Sequence, residues 1–494
     1  MVYIYMSLFS ERLSYYIKKS RLTLLYLSSI SGIDVSYISK IKKGERLPKN
    51  REQLVPLVNG LRLSPSEKQE LWDAYKISSI GEKTFQQYAS VKRLLSSMNS
   101  TGTTSIASSY HHDIQSVSAL YGTPDINNTT KAILELEAAK KDGYIKIVAQ
   151  PDYRFLIDLL GSIIASNPSL DISHLLCLQS GSDLDKIVYN IESFQNLFPL
   201  LSLSENYQVK FYYDEITSHL NQMSVMPFFI LTSTYTILLA PHYDLADISD
   251  DPGRHKLYSH IFRKMYSLTE DLIFPITETT TIDDMFQIES STDSMDIIEF
   301  SAIPSLLSYY PEKSIRDIVK RDAEDQETKI QNLLENPHTF KNFPIKHKRY
   351  FSLFTEDTFL QFLQTGYFPG LPQTYYNPMD PADTIVTLKK LCTEPDSMNH
   401  IPLMLKSGQI SFNSSTRIIA TSRNNMLLFI SHYPVFGDQN FRLMEQSLVS
   451  SIKDFLEYLL SSDEVYSIEE TKTFIQKQIS RLEKNLRESR RNRL

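Results

Sequence analysis

Apolar residues return along this chain in two rhythms. In the first stretch they recur every three or four positions. Leu13 and Ile17 open a helical stripe that ends near Ser20. Thr23 suits the N-cap of a second short helix, with Leu27 and Ile30 pointing inward. Gly32 breaks that helix, Ile33 plugs the turn, and Asp34 caps a third helix over Val35 to Lys42. Ile38 and Ile41, three apart, form its inner face, and Gly44 ends it. Ser64-Pro-Ser-Glu67 reads as a capping box with Pro at the first helical position, opening a helix through Tyr75. Lys83 to Leu95 is helical again.

Beyond a small, polar stretch from Ser96 to Ser109, which reads as a hinge, strands and helices alternate. Asn128 caps a helix through Lys141, and Tyr153 to Ala165 is a second helix. Tyr144 to Ala149, Ile172 to Leu178 and Val209 to Tyr213 read as strands, an α/β organisation. An internal echo follows. Ile230 to Leu239 (ILTSTYTILL) and Ile419 to Leu428 (IATSRNNMLL) share five of ten positions without a gap. Each reads as a hairpin, followed by a His-Tyr pair (His242-Tyr243 and His432-Tyr433). A long amphipathic helix then follows each pair (Lys256 to Phe274 and Phe441 to Leu460). The expected fold is an all-α helix-turn-helix domain over residues 1–80, a helix and Ser/Thr-rich linker over 81–112, two related α/β units over 113–275 and 295–460, and a C-terminal helix with a basic tail over 461–494.

Length agrees with that division, since 494 residues exceed one hydrophobic core. Charge sharpens it. The first 80 residues carry thirteen Lys and Arg against seven Asp and Glu, a net +6, whereas the whole chain is -7 and the remainder therefore -13. A small basic domain on a large acidic body points to a polyanion partner at one end. Two cysteines, Cys177 and Cys392, rule out a disulfide framework and fit a reducing cytosol. The opening MVYIYMSLFSERL lacks the basic start of a signal peptide. Val225 to Pro241, the most apolar run, is too short to span a bilayer, so a cytoplasmic protein without a membrane partner is expected.

The residues of the second and third helices also carry a family resemblance. Leu22-Thr23, Leu27-Ser28, Gly32-Ile33, Tyr37-Ile38-Ser39-Lys40-Ile41 and Lys43-Gly44, then Arg46 and Pro48, resemble the XRE-type (lambda repressor and Cro-like) helix-turn-helix over roughly residues 8–80. The resemblance implies that the third helix lies in the major groove of double-stranded DNA. Val35, Ser36 and Lys40, with Tyr37 and Ser39 beside them, would then face base edges, and Thr23 would cap the supporting helix. Lys42, Lys43, Arg46 and Lys49 would hold phosphates. Leu24 departs from the pattern, which usually places a polar, phosphate-contacting residue after the cap.

The body offers little chemistry. It has no Walker loop, GxGxxG, HExxH, GxSxG or CxxC, and it lacks the HxK pairing of a phospholipase-D-like site. His111-His112-Asp113 reads as exposed linker, Asp244, Asp247, Asp250 and Asp251 as a solvated loop, His242 and His432 as loop anchors, and the two cysteines as packing. No cofactor, metal or catalytic residue is expected. The functional expectation is a sequence-specific DNA-binding transcription regulator, not an enzyme. It would be a homodimer joined partly through the terminal helix Ile468 to Leu486, with a cleft between the α/β units for a small-molecule or peptide effector. The alternatives are an enzyme with an appended helix-turn-helix module and a protein-interaction scaffold.

Overall fold

A computed structural model describes residues 7–49, 51–98, 119–215, 225–275, 296–342, 349–393, 400–412, 416–422, 425–431 and 438–491 of the chain. It is mixed α/β and falls into two compact units, Met1–Val91 with Ser461–Asp463, and Lys92–Leu460 with Glu464–Leu494.

The first unit is helical: α1 Leu8–Ser20, α2 Leu24–Ser31, α3 Val35–Lys42, α4 Val55–Gly60, α5 Pro65–Ile80 and the beginning of α6 Glu82–Ser97. Caps explain the short helices. Ser7 and Thr23 accept from the amides of Ser10 and Tyr26, and Ser64 and Glu67 close a reciprocal capping box. Phe9, Leu13, Leu27, Ile38, Ile41, Leu57 and Leu71 fill the core at 0% exposure. Ile30 does not join them as expected. It stays 45% exposed, with its side chain lying against Gly60 of α4. Arg51 lies 4.4 Å above the Trp72 ring and 3.4 Å from the Asp463 carboxylate, which ties residues 461–463 into this unit.

The second unit holds two mixed sheets. The first is built from β1 Ala119–Tyr121, β2 Tyr144–Val148, β3 Asp171–Leu178, β4 Tyr207–Tyr213, β5 Phe228–Leu231, β6 Thr236–Leu239, β7 Leu245–Ser249 and β8 Glu270–Asp271, in the order β1-β7-β6-β5-β2-β3-β4-β8. The second takes β9 Ile273–Pro275, β10 Ile297–Ser301, β11 Tyr350–Thr355, β12 His400–Leu405, β13 Thr416–Ser422, β14 Asn425–Ser431 and β15 Asp438–Leu443, in the order β9-β15-β14-β13-β10-β11-β12. Read from those ends the first seven strands of the eight-stranded sheet correspond in order to the seven of the other. In each sheet three neighbouring parallel strands adjoin an antiparallel hairpin and its third strand. An antiparallel bridge between Leu405 and Val465 stands where β8 borders β4.

Helices cover the sheets: α7 Thr123–Ala138, α8 Arg154–Ser166, α9 Leu184–Leu201 and α10 Pro252–Ser267 in the first half, then α11 Glu312–Ile318, α12 Gln326–Asn342, α13 Glu356–Thr365, α14 Pro381–Thr393, α15 Gln446–Ser461 and α16 Ile468–Arg491. Several boundaries differ from those read in the sequence. α7 begins at Thr123, five residues before Asn128, with Pro in its first turn. The helix expected over Lys256 to Phe274 stops at Ser267, and its tail becomes β8 and β9. Because β9 pairs with β15, the break between halves falls inside the span 113–275 rather than at its end. Phe441 lies in β15, not in a helix, and α9 was not anticipated. One face of the terminal helix packs inward: Ile475 and Ile479 are 0% and 6% exposed in the core of the second half.

Candidate functional site

Around α2 and α3 the local sequence fixes a rigid edge. Gly32 ends α2 at φ 70°, a conformation that costs glycine nothing. Asp34 then caps α3, accepting from the amides of Ser36 (2.8 Å) and Tyr37 (3.3 Å) and from the Ser36 hydroxyl. The hydroxyl and amide bonds from Ser36, then the Tyr37 amide, hold its carboxyl below the usual range. At the other end of α3, Ser10 and Ser14 on α1 donate to the carbonyls of Ile41 (2.9 Å) and Lys42 (3.0 Å). The Ile41 carbonyl also accepts from the Gly44 amide (3.0 Å), so the two hydroxyls join the C-cap turn in holding this end of the helix.

The ten residues singled out in the sequence divide by exposure. Thr23, Ser36, Lys40, Lys43, Arg46 and Lys49 are exposed; Val35, Tyr37, Ser39 and Lys42 are half-buried. Arg46 lies 5.0 Å above the Tyr37 ring, the Tyr37 hydroxyl is 3.4 Å from Gln53, and Lys43 is 3.9 Å from Glu45. Thr23 spends its hydroxyl on the α2 cap. Leu24 is half-buried against the core, whereas Leu25 is 73% exposed, so the residue that departs from the XRE pattern is used in packing.

The body holds two polar clusters that the sequence did not reveal. In the second half Glu299 on β10 accepts from Arg417 Nε (2.6 Å), Ser305 Oγ (2.6 Å) and the Tyr350 hydroxyl (2.5 Å). Burial opposes its charge, but Arg417, Ser305 and Tyr350 outweigh that and leave the carboxyl below its usual range. Each charge is consumed by the other, so the cluster is structural. A charged residue inside the apolar run IIEFS was its only sequence signal. In the first half, just beyond the carboxyl end of β2, Tyr243 stacks on Tyr153 at 4.0 Å and 5°. Its hydroxyl is 3.3 Å from Asp152, and its backbone sits at φ 56°, unusual outside glycine. Crowding around Asp152 raises its carboxyl although the residue keeps solvent access, and the Tyr243 bond pulls the other way. The loop anchor is thus Tyr243, while His242 is exposed.

Other expectations resolve individually. Burial pushes the Cys177 thiol up to about 12 and raises Cys392. Asp247 pairs with Arg254, and Asp251 caps α10. His111, His112, Asp113, His432 and Tyr433 lie outside the described residues. A groove of about 230 Å³ lies between the halves, lined by Tyr207, Gln208, Ile273, Phe274, Asn440 and Phe441 among others. No helix among the described residues is long and apolar enough to cross a membrane.

No protein family matches the chain, and no curated protein does. Among solved structures it is similar to phosphatidylserine synthase from Haemophilus influenzae Rd KW20, at 10% identity and a TM-score of 0.23, over 76% of this chain and 94% of that one. These comparisons correct the expectation of a sequence-specific transcription regulator with a sensing body. No family or curated protein supplies a regulator on which that reading could rest, and the solved structure found is that of a phosphatidylserine synthase. At that TM-score the likeness carries nothing further about this chain's fold or activity.

Proposed function

We propose that the chain is an interaction scaffold with an appended helix-turn-helix module of XRE type. In this reading residues 1–80 hold double-stranded DNA, and two α/β halves that arose by duplication present the partner-binding body. One observation carries it: Lys40, Lys43, Arg46 and Lys49 are exposed together on and just after a helix whose two ends are fixed by Asp34 and by the α1 hydroxyls. Cations on a rigid edge suit phosphate contact, because little ordering entropy is lost when the backbone is met. The scaffold half of the reading is supported by the spending of the body's charges on one another, as in Glu299 with Arg417 and Asp247 with Arg254.

Binding of a fluorescent 30-base-pair duplex between 50 and 200 mM salt, conditions set on the scale of ordinary phosphate-dependent binding, tests the module. Changing Lys40, Lys43, Arg46 and Lys49 together to Ala removes up to three phosphate contacts and the base-facing Lys40, so the slope of log K against log salt is expected to fall by about 3. An unchanged slope and affinity would overturn the assignment. A second copy of the chain is a further proposed partner, and a monomer by light scattering at micromolar concentration would remove it.

An enzyme carrying the same module is the second reading, favoured by Asp152 beside Tyr243 at the strand ends, where α/β folds place reactive groups. Turnover of a chromogenic ester that disappears in Asp152→Asn, with the fold intact, would favour it over the scaffold.

A further inference from the structure

The terminal helix α16 buries one face and leaves another strongly basic. Thr471, Ile475, Gln478 and Ile479 are buried, and Leu482 and Leu486 pack on the same core. Lys477, Arg481, Lys484, Arg487 and Arg491 are exposed. Their steps of four, three, three and four residues keep all five on one side of the helix, over about 21 Å at 1.5 Å per residue. Acids do little to neutralise that side. Glu483 is bound to Lys389 at 2.7 Å, one turn before Arg487, and Glu470 caps its own helix through the Ser467 amide. Glu488 alone stands within the stripe, 3.9 Å from Lys484.

Two ordinary explanations fall short. Cations at a helix C-terminus complement its dipole, but that effect is confined to the last turn and does not reach Lys477, Arg481 or Lys484. Solvation alone would not demand a run of one sign in a region, residues 81–494, whose net charge is -13. The stripe is a local reversal of charge, as in the first 80 residues.

From this geometry we infer that α16 is a second phosphate-contacting surface, fitted to the backbone of double-stranded DNA and separate from the edge formed by α3. A lipid surface suits it less. Peripheral helices insert apolar side chains, and those of α16 are already turned into the core, with only Ile468 at its first residue exposed, at 39%. Backbone contact by Lys and Arg carries no sequence preference and is strongly salt-dependent.

The test uses the full chain with Lys477→Gln, Arg481→Gln, Lys484→Gln and Arg487→Gln combined, changes that keep good helix formers on a solvated face. Anisotropy of a labelled duplex is read from 50 to 200 mM salt, and circular dichroism confirms that the fold is retained. The expected result is a salt slope lower by about 3 to 4 and affinity at least tenfold weaker on random and mixed sequences alike. Arg481→Lys with Arg487→Lys should bind like the parent, because a point charge suffices for phosphate. A well-folded Gln variant with unchanged slope and affinity overturns the inference. So does binding of the parent to phosphatidylserine vesicles but not to duplex. Failure of the α3 reading looks different: the Lys40, Lys43, Arg46 and Lys49 variant would bind normally while the α16 variant weakened.

Discussion

His174 and His400 are buried, with Nδ1 2.7 Å from the Tyr207 hydroxyl in one case and 2.8 Å from the Tyr309 hydroxyl in the other. Burial drives both down to about 4. An unfolded histidine titrates near about 6.5, so each folded pKa lies below its unfolded value. The contribution is complete above about pH 6.5 and is lost as the pH falls toward 4, with about 2 kcal/mol per residue gone by about pH 5. Histidine nitrogen shifts should show both rings neutral at pH 5, and midpoints near 6.5 would contradict the burial. The pair Glu299 and Arg417 makes a second prediction at this scale. Glu299→Gln leaves the half-buried Arg417 guanidinium without its counterion and should cost about 2 to 4 kcal/mol, toward the lower end for a buried pair because Arg417 keeps some solvent access. Replacing both by Met should cost clearly less, since no lone charge remains. Urea unfolding of the two variants decides between this and simple additivity.

At the scale of elements, α2 and α3 were legible because their ends are local chemistry: Thr23, Gly32 and Asp34 each act on amides within three residues or on their own backbone. The hairpins β5–β6 and β13–β14 were legible from the repeated apolar runs. Their third strands were not. Leu245–Ser249 and Asp438–Leu443 are short and interrupted by charged and polar residues, and what makes them strands is pairing with β6 and β14, a neighbour no local pattern announces. The cluster of Asp152 and Tyr243 was hidden for the same reason, its members being 91 residues apart. A turn that sequence reading passed over is equally constrained. A Cβ on Gly143 would lie 2.2 Å from the Glu137 carbonyl oxygen, while the Glu137 carboxylate accepts from the Tyr144 and Ser233 amides. Gly143→Ala must therefore displace backbone and is expected to cost about 3 kcal/mol, at the upper end for overpacking. Gly32→Ala meets open space and suffers only its positive φ, about 1 to 2 kcal/mol. Thermal unfolding should rank the two in that order, and the reverse ranking would refute the contact.

Over the whole second unit, matching strand orders sit beside an unequal covering of helices. One helix, α9, joins β3 to β4, whereas two, α13 and α14, join β11 to β12. β4 is bordered by β8, but the corresponding pairing beyond β12 is reduced to the single bridge between Leu405 and Val465. The segment entering α16 and the helix itself supply there what a strand does not: Tyr466, two residues before α16, donates its amide to the Met404 carbonyl, and Ile475 and Ile479 on the helix complete the core with Leu388, Leu391 and Met404. The helix is thus part of the second half rather than an appendage to it. Losing one such buried isoleucine costs about 2 to 5 kcal/mol, and two of them approach the whole stability of a typical domain, about 5 to 15 kcal/mol. A chain ended after Ser467 should therefore lose the second half while the first keeps its own sheet. Limited proteolysis is expected to cut within residues 296–460 and to leave 119–271 protected. If the shortened chain melts at the parent's temperature and shows no new cleavage there, α16 is not what closes that core.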